Sequence, residues 1–163
     1  FMQLYLLYSH FMDGFAYAGE ALVGKYAGAA DKHSLRRCVS HLFAWGWSLA
    51  AIFAFAYGVF NHEVMSLFSD KPEVVAFAAA YRWWIALAPI AGMAAFIWDG
   101  VFVGLTATRQ MLLSLAGATA VYFAIYFLSP FPDANSSLWT AFLTYLAVRG
   151  VILWLCFARK NEY

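Results

Sequence analysis

The chain has 163 residues, of which 64% are hydrophobic and 12% charged, and its formal net charge is +1. A soluble domain of this length cannot bury so much apolar surface, so the composition excludes a water-soluble globule and indicates a polytopic membrane protein, and the long apolar runs along the chain make it an all-α bundle. The near-neutral balance, with basic residues spread over short segments, argues against any nucleic-acid partner.

The first predicted span covers about 4–23. His10, Asp13, Tyr17 and Glu20 follow one another at steps of three or four residues and so share one helical face. Two carboxylates on a lipid-facing surface would be prohibitive, so this face is expected to point into the bundle, towards a cavity or another polar helix. Gly14 and Gly19 supply small surfaces for close helix approach. A loop is predicted over Gly24–Arg37, carrying Lys25, Lys32, His33, Arg36 and Arg37. The second span, about 38–60, is broadly apolar. His41 near its start reads as a packing residue more readily than as a ligand, and Trp45, Trp47, Phe53, Phe55 and Tyr57 suit lipid contact.

Asn61–Glu73 reads as a polar connection, with Asp70 a candidate helix cap and Pro72 in the first turn that follows. From Val74 to Thr108 no turn signal interrupts 35 residues, about 52 Å of helix, which exceeds a bilayer core. We assign the membrane crossing to about 83–105, with Arg82, Trp83 and Trp84 at the headgroup boundary and Arg109 closing the span. This span contains Pro89, expected to kink it, and a GxxxG pair, Gly100 and Gly104, which signals helix packing. It also carries Asp99 among apolar neighbours. An ionised Asp at mid-bilayer costs roughly 2.5–3.5 kcal/mol, so Asp99 must be paired, protonated or facing water. Either it forms a structural hydrogen bond to a neighbouring helix or it is a functional group, and the functional reading is the default for intramembrane acids.

The fourth span covers about 111–128, the turn Ser129–Ser137 holds two prolines, and the fifth span covers about 138–158. Arg149 lies inside that last span and either snorkels towards the cytoplasm or pairs with a carboxylate. With five spans, Lys25, Lys32, Arg36, Arg37, Arg109, Arg159 and Lys160 fall on one side, against Lys71 and Arg82 on the other. The bias places the first set, and the C-terminus, in the cytoplasm. Cys38 and Cys156 are expected as free thiols near that side. The chain opens on Phe1 with no basic signal flank, so a preceding N-terminal portion is expected.

Two stretches carry a resemblance. Asp13–Asp31, DGFAYAGEALVGKYAGAAD, and Phe96–Met111, FIWDGVFVGLTATRQM, resemble the eighth and tenth transmembrane helices of multidrug and toxic compound extrusion (MATE) transporters, in the DinF-like branch. The external segment Glu63–Phe68 fits as well. In that family two six-helix lobes rock about a central cavity and exchange protons or sodium ions for cationic or amphipathic drugs. The resemblance implies that this chain is helices eight to twelve, part of the C-terminal lobe. Its partners would be the N-terminal lobe, the missing seventh helix and the lipid bilayer, and its location the bacterial cytoplasmic (inner) membrane. Asp99 then occupies the region of the tenth-helix acid that binds the coupling cation, a proton or a sodium ion, with no other cofactor and no enzymatic activity. Asp13 and Glu20 would line the same cavity, where Tyr17 and Trp98 would offer π faces to cationic drugs. A flippase for a lipid-linked saccharide would need a basic cavity for phosphate, and the intramembrane charges here are mainly acidic. A membrane-embedded enzyme lacks a signature, and a purely structural subunit leaves three acids unexplained.

Overall fold

The computed structural model describes residues 2–68, 73, 75, 81–128 and 133–159. Among these residues the helices are α1 (Met2–Gly28), α2 (Lys32–Val59), α3 (Asn61–Phe68), α4 (Arg82–Gly104), α5 (Thr108–Leu128) and α6 (Ala134–Arg159). Four of them, α2, α4, α5 and α6, are long and apolar enough to cross a membrane. α1 has the length, 27 residues, but is not among those four. Its polar residues account for the difference from the five spans expected.

The hub is α4. It packs against α1 and α2 on one side and α6 on the other, while α5 leans mainly on α6. Its residues are buried nearly all round, including Ile85, Ala88, Met93, Ile97, Val101 and Phe102, as a helix apolar on every face must be. Small residues set how near its neighbours come. A Cβ on Gly100 would collide with the Ala16 backbone, meeting its Cα and C at 2.7 Å, and one on Gly104 would meet the Glu20 carbonyl oxygen at 2.6 Å. On the α6 side, a Cβ on Gly150 would lie 2.9 Å from the Ala94 Cβ. Tyr8 lies beside Pro89 and Gly24 beside Gly104, so α1 and α4 run parallel.

Two tyrosines tie this packing together. α4 runs through Pro89, whose missing N–H removes a bond from the preceding turn. The buried Tyr8 hydroxyl donates to the Pro89 carbonyl at 2.8 Å. Tyr57 donates to the Leu4 carbonyl at 2.9 Å, joining α2 to α1. Tyr57 is therefore a core residue, and Phe53 packs beside it; Trp45, Trp47 and Phe55 do remain exposed. Trp83 is exposed with the Arg82 guanidinium 5.0 Å above its ring.

The loops are shorter than the sequence led us to expect. Instead of a loop over Gly24–Arg37, α1 continues to Gly28 and α2 begins at Lys32. The cause is a pair of end signals. Asp31 N–H bonds to the Tyr26 carbonyl and Ala30 N–H to that of Ala27, closing α1 with Ala30 in the left-handed region at φ 54°. Asp31 then caps α2 by accepting from Ser34 N–H at 3.0 Å. The Ser34 side chain and N–H hold the Asp31 carboxyl below its usual range, so the cap stays charged at neutral pH and weakens only as pH falls through that lowered value. α4 ends the same way, with Ala107 N–H on Phe102, Thr106 N–H on Val103 and Thr106 at φ 54°. Arg109 consequently sits in the first turn of α5, where we had placed it at the close of the preceding span. The polar connection expected from Asn61 opens as α3, whose Met65 packs with Leu4, Tyr57 and Ile85. The proposed cap Asp70, Pro72, Lys71 and Lys160 lie outside the described residues.

A β-branched residue is costly in the left-handed region, where glycine is at ease. Thr106→Gly is expected to stabilise the purified protein by about 1 kcal/mol. A raised thermal unfolding midpoint in detergent is the readout; an unchanged or lowered midpoint would count against this account of the turn.

Candidate functional site

α4 ends at Gly104, so Asp99 stands five residues, about 8 Å of helix, from its C-terminal end. Its carboxylate is not isolated. Arg149 of α6 donates from Nη2 to Asp99 Oδ1 at 2.9 Å, and the same nitrogen lies 2.8 Å from Oδ2. Of the two alternatives for Arg149, the structure shows the pairing with a carboxylate. Gly150 brings this pair together, because α6 can back onto α4 at Ala94 and Ala95 only where it has no side chain. The adjacent Arg149 then reaches along α4 to Asp99.

The geometry of the pair is incomplete. A guanidinium grips a carboxylate best through a fork of two nitrogens. Here one nitrogen straddles both oxygens, and Arg149 Nε is buried without a hydrogen-bond partner. The side chains remain 21% and 24% exposed for Arg149 and Asp99, so the pair is reachable from outside the bundle. Tyr5 of α1 stands within electrostatic reach of Arg149, Asp13, Asp99 and Tyr145, its ring braced edge-on against Phe142 at 5.0 Å. Half-buried Asp13 in turn acts through space on Asp99. The site thus joins α1, α4 and α6, with one cation set among two carboxylates and two phenols.

The remaining residues of the expected site lie elsewhere. The His10–Asp13–Tyr17–Glu20 face does not point into the bundle. It lies on the outer side of α1, with Tyr17 70% exposed, Glu20 and His10 exposed, and Asp13 at its inner margin. The reason is the opposite stripe, Leu4, Tyr8, Met12, Gly19 and Val23, which is the one that docks within the bundle. Trp98 is also displaced from its expected place at a cavity wall. It is 3% exposed and sealed among Phe43, Phe102 and Phe157. Neighbouring helix positions point about 100° apart, so Asp99 and Trp98 face different surroundings. Among the described residues no three of His, Cys, Asp and Glu gather to hold a metal ion. Sequence reasoning passed over Tyr5, Tyr145 and Gly150. The Arg149–Gly150 step within an apolar helix was the one signal available for the last.

Long apolar helices around a partly buried charge pair define a multi-pass membrane protein. The MatE family profile matches residues 1–129, and the chain belongs to that family. It is 30% identical to the DNA damage-inducible protein F of Escherichia coli (strain K12), over 93% of this chain and 33% of that protein. It is 24% identical to Protein DETOXIFICATION 43 and 23% identical to the chloroplastic Protein DETOXIFICATION 45, both of Arabidopsis thaliana, over 92% of this chain in each case and 28% and 27% of those proteins. The chain therefore spans about a third of the length of the curated relatives it matches. No solved structure matches it.

Breaking such a pair from one side leaves a charge without a partner, whereas removing both charges does not. Arg149→Gln alone is expected to destabilise the protein by about 2 kcal/mol, and Asp99→Asn combined with Arg149→Gln by clearly less. Denaturation midpoints of the two variants check this, and equal losses would contradict it.

Proposed function

We propose that this chain is part of the C-terminal lobe of a secondary active exporter, one that exchanges a proton or a sodium ion for cationic or amphipathic compounds across a bacterial cytoplasmic membrane. The observation that carries the reading is the Asp99–Arg149 pair, a partly accessible carboxylate held by a single nitrogen within apolar helices. An incoming cation competes with Arg149 for Asp99, and the guanidinium takes the carboxylate back when the cation leaves. The Asp99 carboxylate thus has a cationic partner in both states, which lowers the cost of its charge in apolar surroundings. Asp13, with its own carboxylate in range, raises the negative potential that draws the cation in.

The outward polar stripe of α1 fits the same reading. Tyr17 and Glu20 would face the N-terminal lobe and the missing helix across the transport cavity, where an exposed ring and a carboxylate suit a cationic drug. The basic residues Lys25, Lys32, Arg36, Arg37, Arg109 and Arg159 gather at one end of the bundle, so that end, with the C-terminus, would be cytoplasmic. The name DETOXIFICATION carried by the two Arabidopsis relatives accords with the export of toxic compounds.

A static latch is the competing reading, and the 2.8 Å contact favours it. The double variant Asp99→Asn/Arg149→Gln separates the two, because it removes the titratable carboxylate without stranding a charge. In vesicles holding the full-length transporter, drug-driven exchange across proton and sodium gradients should fall at least tenfold, while expression and folding hold. Wild-type exchange by that variant would reduce the pair to a structural tie.

A further inference from the structure

At the basic end of the molecule a cavity of about 400 Å³ opens between α1 and α2. Its walls are two ladders: Leu22 and Tyr26 on α1, and Arg37, Cys38, His41 and Trp45 among others on α2. Neither the MATE-type exchange nor the Asp99–Arg149 pair uses these residues. Among the described residues neither the Arg37 nor the His41 side chain has a hydrogen-bond or ion-pair partner, and no carboxylate lines the cavity. The nearby Asp31 is engaged by Ser34 in the α2 cap.

The depth of this cavity follows from α2 itself. Leu42–Val59 is 18 residues without a charge, about 27 Å of helix, which matches the roughly 30 Å hydrocarbon core. The ten residues before it carry Lys32, His33, Arg36, Arg37 and His41. The edge of the hydrocarbon therefore falls between His41 and Leu42, within the cavity. Arg37, His41 and the Tyr26 hydroxyl lie on the headgroup side of this edge. Trp45, 66% exposed, lies at the acyl side, and Leu22, one turn along α1 from the Gly19–Leu42 contact, lies near the edge itself.

We propose that this cavity is a binding site for an anionic glycerophospholipid of the surrounding bilayer. Its phosphate oxygens are met by the Arg37 guanidinium and the His41 ring, its glycerol region lies by Leu22, and its first acyl carbons lie on Trp45. A planar guanidinium matches phosphate geometry, and aromatic rings at the interface tolerate one polar and one apolar neighbour. The location, a basic pocket between helices on the positive side of the protein, is where anionic headgroups are attracted most strongly. The bound lipid would brace the cytoplasmic ends of α1 and α2, the former being the helix whose outer face the exchange reading uses.

The test is lipid retention by the full-length protein, delipidated and then offered phosphatidylglycerol or phosphatidylcholine of identical acyl chains, with bound lipid counted by native mass spectrometry. Wild-type protein should retain phosphatidylglycerol about fivefold or more over phosphatidylcholine. Arg37→Gln with His41→Gln should abolish the preference, Arg37→Lys should keep most of it, and Arg36→Gln, outside the cavity walls, should leave it intact. Trp45→Ala should lower retention of both lipids without changing their ratio. Equal retention of the two lipids by wild-type protein would overturn the proposal without recourse to any variant. So would a full preference in the Arg37/His41 double variant, or an equal loss on Arg36→Gln, which would mark a diffuse surface effect.

Discussion

Two helices reach backbone contact only where one of them has no side chain in the way, and the α1–α4 contact is of this kind. Gly100 and Gly104 face the backbone of Ala16, Glu20 and Gly24 with no room for a Cβ. In a bilayer, lipid tails are as apolar as leucine, so helix association depends on close packing and hydrogen bonds more than on the removal of apolar surface from water. The glycine seam supplies the packing, and Tyr8 and Tyr57 add buried hydrogen bonds to main-chain carbonyls. Once α1 is seated on that seam its rotation is set. The stripe from Leu4 to Val23 faces inwards, and the polar stripe has nowhere to go but out.

The seam also determines what surrounds Asp99. Its neighbour Gly100 is pressed on α1, so the carboxylate emerges where α1, α4 and α6 meet, beside Arg149. A second glycine, Gly150, does for α6 what Gly100 does for α1. The charge pair is thus a product of two close helix approaches. Removing two charges from water is costly, and their attraction offsets that cost fully only when every donor and acceptor is used. With Nε of Arg149 left unpaired, the pair falls short of this. A shortfall of that sort suits a site whose partner has to change.

The opposite ends of the bundle have different chemistry. One end holds the two left-handed turns at Ala30 and Thr106, the Asp31 cap and most of the basic residues. Tight turns keep the helices there in short connection and concentrate their charge at the membrane surface. Towards the other end, α3 packs on α1, α2 and α4 through Met65, and Arg82 stacks on an exposed Trp83 at the start of α4.

The sequence by itself determined the all-helical membrane class, the approximate position of each long helix, the asymmetry of its basic residues and the family resemblance. Each rests on a local property, hydrophobic length, charge count or a run of side chains, that needs no partner to be read. Asp99 stood out for the same reason: a carboxylate in an apolar run is anomalous wherever its neighbours lie. Only the tertiary structure decided which carboxylate meets Arg149, because residues 50 positions apart are joined by a close approach at Gly150 that no periodicity reveals. It also decided that the polar face of α1 points outward and that Trp98 is enclosed. A helical wheel ranks the faces of one helix by polarity, whereas the glycine seam selects the buried face by shape, and here shape prevails. The short α1–α2 turn was likewise hidden, since an alanine in the left-handed region gives no glycine signal for the end of a helix.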